Sequence, residues 1–105
     1  MDKEELLNLN YVDKRSLIRQ GKYLDVFIKD KHWEIRKEVV KRRYRLDILI
    51  NDNDPDVRMA VVRQGYRLDK LINDKNKYVR LEVIIYCKEH NNEEECRNLL
   101  RLYNL

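Results

Sequence analysis

Among its 105 residues the chain has one serine, no threonine, two glycines and a single proline. Hydroxyl nucleophiles are therefore almost absent, no glycine-rich phosphate loop can form, and no stretch has the composition of a flexible linker. The only cysteines, Cys87 and Cys96, are nine residues apart and form no Cys-x-x-Cys pair. They read as reduced, packed thiols of a cytoplasmic protein. His32 and His90 lie far apart and show no His-x-x-x-His spacing, so no metal site is expected. No run approaches the ~20 apolar residues of a membrane span, and no basic-then-apolar signal segment opens the chain. These scarcities argue against an enzyme, a cofactor, a small-molecule substrate and a membrane partner.

What is present is charge and period. Charged residues make up 40% of the chain and the hydrophobic set 43%, with a formal net charge of +4; that suits a thin structure with much surface and permits an anionic partner. Leu24, Leu46 and Leu68 are spaced by 22 residues, as are Asp25, Asp47 and Asp69. The same interval separates Ile28, Ile50 and Ile72, then Asp30, Asp52 and Asp74, then Arg36, Arg58 and Arg80. Agreement at five positions over three copies marks a repeat array within one domain. Residues 1–21 form a degenerate N-terminal repeat, 22–88 three full repeats, and 91–105 a capping helix outside the period.

Each unit divides into a short and a long helix. Leu68, Leu71 and Ile72 fall at i, i+3 and i+4, one helical face, predicting a first helix of roughly seven or eight residues. The second helix starts best at Asp54-Pro55-Asp56, where an N-cap, a first-turn proline and a dipole-matched acid coincide. Asn76 supplies the next cap, whereas His32 is a poor one and Asp30 is expected to substitute. Val57, Val61 and Val62 give the buried face, and Gly65 fits the left-handed residue that ends the helix. Val-Val pairs and a 22-residue period also suit strands of a leucine-rich repeat. However, Leu-x-x-Leu-x-Leu-x-x-Asn is absent and Asp-Pro-Asp starts a helix. At the front, Asp2 and Glu5 signal a first helix ending at Asn8 and Asn10, followed by a second from about Val12 to Gln20. At the back, Leu81, Val83, Ile84, Ile85, Tyr86 and Cys87 form a nearly continuous apolar segment. Its surplus apolar positions are expected to be covered by a last helix, capped by Asn91-Asn92, with Cys96, Leu99, Leu100 and Tyr103 on one face.

Asp-Pro-Asp-Val-Arg-x-Ala-Val, at Asp54 to Val61, resembles the second-helix signature of HEAT-like repeats. Leu-x-x-Leu-Ile-Asn-Asp-x-Asp-Pro-x-Val-Arg resembles the shorter leucine-rich-repeat-variant units. The resemblance covers about residues 12 to 88 and implies an all-α fold: a right-handed α-α superhelix, a short HEAT-like solenoid of about three and a half repeats plus the capping helix. Its length should be roughly 35–40 Å at ~10 Å per layer. Some variant-repeat proteins carry a cysteine-bound iron–sulfur module, but this chain has no such cysteine cluster. In HEAT-like families aspartate and arginine at such places form a ladder between repeats. The resemblance thus implies a structural ladder of Asp30, Arg36, Asp52, Arg58, Asp74 and Arg80, with an exposed arginine stripe as the alternative.

Candidate binding residues are Trp33 and the basic cluster Lys41, Arg42, Arg43, Tyr44 and Arg45, continued by Arg63 and Arg67. Arg19, Lys41 and Arg63 are expected in one row. Trp33 reads either as a cover on the core or as a binding hot spot. The cations read as a solvated face, as a grip on an acidic or mixed protein surface, or as phosphate contacts. The leading expectation is a non-enzymatic protein–protein interaction module, an adaptor or small stoichiometric inhibitor of a larger complex. The alternative is a nucleic-acid-binding helical-repeat protein using Lys41–Arg45.

Overall fold

The computed structural model describes residues 1–105 and is all-helical, with nine helices and no strand. In chain order they are α1 (Lys3–Leu7), α2 (Tyr11–Arg19), α3 (Leu24–Phe27), α4 (Trp33–Lys41), α5 (Leu46–Leu49), α6 (Pro55–Arg63), α7 (Leu68–Leu71), α8 (Lys77–Glu89) and α9 (Glu94–Leu102). No helix is long and apolar enough to cross a membrane.

Four of the nine helix starts are set by short polar side chains. Asp2 accepts the Glu5 N–H and Asn10 the Asp13 N–H, both at 2.8 Å, so Asn10 opens α2 rather than ending α1. Asp54 accepts the Asp56 N–H at 2.8 Å with Pro55 in the first position of α6, and Asn76 accepts from Tyr78 and Val79. Each such cap contributes ~1 kcal/mol. His32 makes no cap bond. Asp30 takes the His32 N–H at 2.9 Å, and Asp52 and Asp74 do the same for Asp54 and Asn76. The aspartate is therefore a device of every unit, not a substitute in one.

One sequence-based expectation is corrected at the turns. The short helices span four residues each, not seven or eight. The chain leaves helix after Ile28, Ile50 and Ile72 because the next aspartate bends it into the following cap. The entry to each short helix uses two left-handed residues, one apart: Gly21 and Tyr23, Arg43 and Arg45, Gly65 and Arg67. Only the glycines were legible, since nothing in an arginine announces a positive φ.

The long helices pack in chain order, α2 on α4, α4 on α6, α6 on α8 and α8 on α9, while each short helix is wedged between long ones. One continuous core results, with Val39, Val40, Val57, Val61, Val62, Val79 and Val83 fully enclosed. The longest dimension is 51 Å, beyond the expected ~35–40 Å. That figure counted only the repeating units and omitted the layer added by α9 and the outer girth of the end helices. The last helix starts at Glu93, whose side chain does not cap, rather than at Asn91-Asn92.

Candidate binding face

The aspartate and arginine positions form a ladder across neighbouring units. Arg36 donates through Nε and Nη2 to Asp52 at 2.8 and 3.1 Å, and through Nη1 to the Asp30 carbonyl at 2.7 Å. Arg58 repeats this on Asp74 at 2.8 and 3.2 Å and on the Asp52 carbonyl at 2.6 Å. A fourth member escaped the sequence reading: Lys14 donates to Asp30 at 2.8 Å, with both side chains buried. Burial pushes the Asp30 carboxyl up, but the Lys14 ammonium and the His32 groups together hold it below the usual carboxylate value. Asp52, as a hydrogen-bonded partner, raises the Arg36 guanidinium against its desolvation. Arg80 keeps only the Asp74 carbonyl, at 2.6 Å, since no further repeating unit follows to supply an aspartate. These side chains hold layers together and are spent in doing so.

The basic cluster does not converge on one patch. Lys41 turns to the buried Glu38 at 3.0 Å, and Arg19 approaches the same carboxylate at 3.9 Å. Arg63 pairs with Glu82 at 2.7 Å. Arg45 and Arg67, on the opposite side of their turns, each fork onto the aspartate two residues ahead, Asp47 and Asp69; those guanidiniums hold both carboxyls below their ordinary values. Arg43 bridges to the Gln64 carbonyl and amide oxygen at 2.9 and 3.0 Å. The Arg42 guanidinium lies over Gly21 and has no carboxylate partner. Tyr44 is half-buried against the core, as is Trp33, with Lys37 above its ring at 5.9 Å.

The most distinctive surface lies elsewhere, on the outer face of the long helices. Three rows run across them at the 22-residue interval: Val12, Glu34, Asp56, Tyr78; Arg15, Lys37, Met59, Leu81; and Arg19, Lys41, Arg63, Ile85. In α8 all three positions are apolar, and all three are open to solvent: Tyr78 57%, Leu81 48% and Ile85 41%. The expectation that a last helix covers this surplus is half right. The side chains of Leu99 and Leu100 on α9 join Val83, Ile84 and Cys87 of α8. Tyr78, Leu81 and Ile85 face away and remain bare. Beside Ile85 a shallow cavity of about 270 Å³ is lined by Arg63, Glu82, Tyr86, Glu89 and His90. Tyr86 and His90 stack at 3.9 Å between centroids, and His90 Nδ1–H donates to the Tyr86 carbonyl at 2.8 Å.

The two largest clefts, of about 530 and 520 Å³, lie along the turn edge at Lys29–Lys31 and at Asn51–Asn53 with Asn73–Lys75. They occupy equivalent places in different units with different linings, so they belong to the architecture rather than to one ligand. No group of three or more His, Cys, Asp or Glu side chains is placed to hold a metal. Cys87 and Cys96 are free and buried between α8 and α9. Burial, with the neighbouring Cys96 thiol, pushes Cys87 up to about 12. No family model, curated protein or solved structure matches the chain.

Proposed function

We propose that this chain is a short HEAT-like solenoid serving as a non-enzymatic protein-interaction module, an adaptor or stoichiometric inhibitor, that binds through the outer face of its long helices. The observation that carries the reading is the bare stripe Tyr78, Leu81 and Ile85. The same positions hold Glu34, Lys37 and Lys41 in α4 and Asp56, Met59 and Arg63 in α6. The fold therefore makes no demand for apolar residues there. A contiguous bare apolar strip on an otherwise strongly charged protein marks a surface that another protein covers. Two free buried thiols suit action in the cytoplasm.

A photo-crosslinking side chain at Ile85, expressed in the native cell, tests the proposal. It should capture a discrete partner, and one at Asp25, outside the three rows, should not. Equal capture at both positions, or none at Ile85, overturns the reading. The nucleic-acid alternative draws less support. Lys41, Arg45, Arg63 and Arg67 all face carboxylates within 3.1 Å, which weakens the field a phosphate backbone would meet. It would require duplex binding that falls steeply with salt and is abolished by Arg42→Glu with Arg43→Glu.

A further inference from the structure

Two of the rows that pass through the stripe change character along the stack. One runs Arg15, Lys37, Met59, Leu81; the other Arg19, Lys41, Arg63, Ile85. Both begin with cations on α2 and α4 and end in bare aliphatic side chains on α8. Against these four leading cations, the carboxylate set between Arg19 and Lys41 is Glu38, and its side chain is only 5% exposed. In α6 the Glu38 position is Ala60, so Lys41 finds no acid on the following helix and reaches back to its own. Arg15 and Lys37 have no carboxylate at all and lie over the Tyr11 and Trp33 rings, at 5.7 and 5.9 Å. The third row is acidic in its middle, at Glu34 and Asp56, so an anionic occupant is steered onto the other two.

We infer that this graded face receives an acidic amphipathic helix of a partner protein, laid along the stack with an apolar end on Leu81 and Ile85 and its carboxylates over Arg15, Lys37, Arg19 and Lys41. The inference rests on the interaction-module reading and adds the partner's chemistry and direction. Charge complementarity selects the acidic body, and the bare aliphatic end selects the anchor. A helix is selected over an extended segment because the backbone polar groups of α2, α4, α6 and α8 are bonded within their own helices. An extended chain would be left with unpaired N–H and C=O groups in the interface, whereas a helix satisfies its own. Layers ~10 Å apart place α2 and α8 ~30 Å from one another, the reach of about 20 helical residues, with a carboxylate wanted about every seventh. A second copy is a poorer occupant. Three half-exposed side chains fall well short of the ~800 Å² per partner of a standard stable interface, and the cation rows of two copies would face like charge.

The probe is a synthetic helical peptide of about 20 residues, leucine and phenylalanine at one end and glutamate at every seventh position thereafter. It is made with the apolar end first and with it last, and each is paired with a version carrying lysine for glutamate. Fluorescence anisotropy at low salt should show one glutamate peptide binding, with the lysine versions weaker by about tenfold or more. Leu81→Ser with Ile85→Ser, and separately Arg15→Glu with Lys37→Glu, should each weaken binding by about tenfold, while urea midpoints confirm that both variants stay folded. Equal binding of glutamate and lysine peptides, lost only in the Leu81/Ile85 variant, overturns the graded face but leaves the interaction module standing. No binding by any peptide overturns the inference, and crosslinking at Ile85 then decides the module separately. It is also overturned by a dimer in sedimentation that Leu81→Ser dissociates, or by random duplex displacing the peptide.

Discussion

Replacing Arg58 by methionine should remove a large share of the protein's stability. The Arg58 and Asp74 side chains are 6% and 9% exposed, joined by two hydrogen bonds, and a third runs from Arg58 to the Asp52 carbonyl. Methionine keeps the apolar stem and deletes the charge. Asp74 is then left without its charge partner in a nearly enclosed interlayer space, with only the Asn76 N–H at 2.8 Å to stabilise it. Breaking a buried pair in this way costs about 3–5 kcal/mol, against a total of about 5–15 kcal/mol for a small domain. Arg80→Met is the internal control. It loses one bond, to the Asp74 carbonyl, at about 1 kcal/mol. Arg36→Met should come close to Arg58→Met, since the orphaned Asp52 side chain is 8% exposed against 9% for Asp74. Urea unfolding followed by circular dichroism measures all three. With a slope of about 1–2 kcal/mol/M, the Arg58→Met midpoint should drop by about 2 M or more. Adding Asp74→Asn, which keeps the acceptor for Asn76 but removes the stranded charge, should recover part of the loss. Arg58→Met and Arg80→Met midpoints within about 0.5 M of each other would show that the ladder does not join the layers.

Other outcomes follow from the turns, the first ladder pair and the buried thiols. Gly65 has φ +70 and a Cβ there would lie 2.6 Å from the Tyr86 hydroxyl, whereas at Gly21 it would meet the exposed end of Arg42. Gly65→Ala should therefore cost more than the ~1–2 kcal/mol of a left-handed alanine and more than Gly21→Ala, as compared by urea midpoint. The Asp30 carboxyl titrates lower in the folded chain than its ordinary value, so the stability it contributes is complete above ~pH 4 and disappears as pH falls through the folded value. The gap in midpoint between the parent and Lys14→Met should be large at pH 7 and shrink progressively as pH falls below ~4; a gap that stays constant through the acid transition would refute the pairing. With burial pushing Cys87 up to about 12, an aromatic disulfide reagent at pH 8 should modify neither cysteine until urea opens α9. Modification on mixing would contradict the packing of α9 on α8.

The division between what was legible in the residues and what was not follows from the kind of constraint involved. Val39, Val61 and Val83 repeat because each layer must be enclosed by the next, and a shared requirement writes itself as a period. Asp30, Asp52 and Asp74 recur for the same reason. Lys14 was overlooked because lysine does the work of arginine in that unit. The left-handed Arg43, Arg45 and Arg67 left no mark, since nothing in an arginine's identity announces a positive φ. The short helices were overestimated because Leu, Leu and Ile at i, i+3 and i+4 fit one turn as well as two.

The proposed binding face was missed for a deeper reason. An apolar surplus such as Tyr78, Leu81 and Ile85 says that these side chains gain by leaving water, not what they leave it for. Sequence reasoning assigned Leu81 and Ile85 a cover from the same chain because α9 followed and had an apolar face of its own, and it passed over Tyr78. The geometry separates the two demands: Val83, Ile84 and Cys87 face α9, while the stripe points the other way, into line with Lys37, Lys41 and Arg63. The comparison that exposes it lies within the molecule. Where three earlier helices supply a reference for each position, a departure in the fourth is measured against the requirements of the fold itself. The array fills the Leu81 position with Arg15, Lys37 and Met59, so its packing does not require that leucine, and the proposed interface supplies a reason for it.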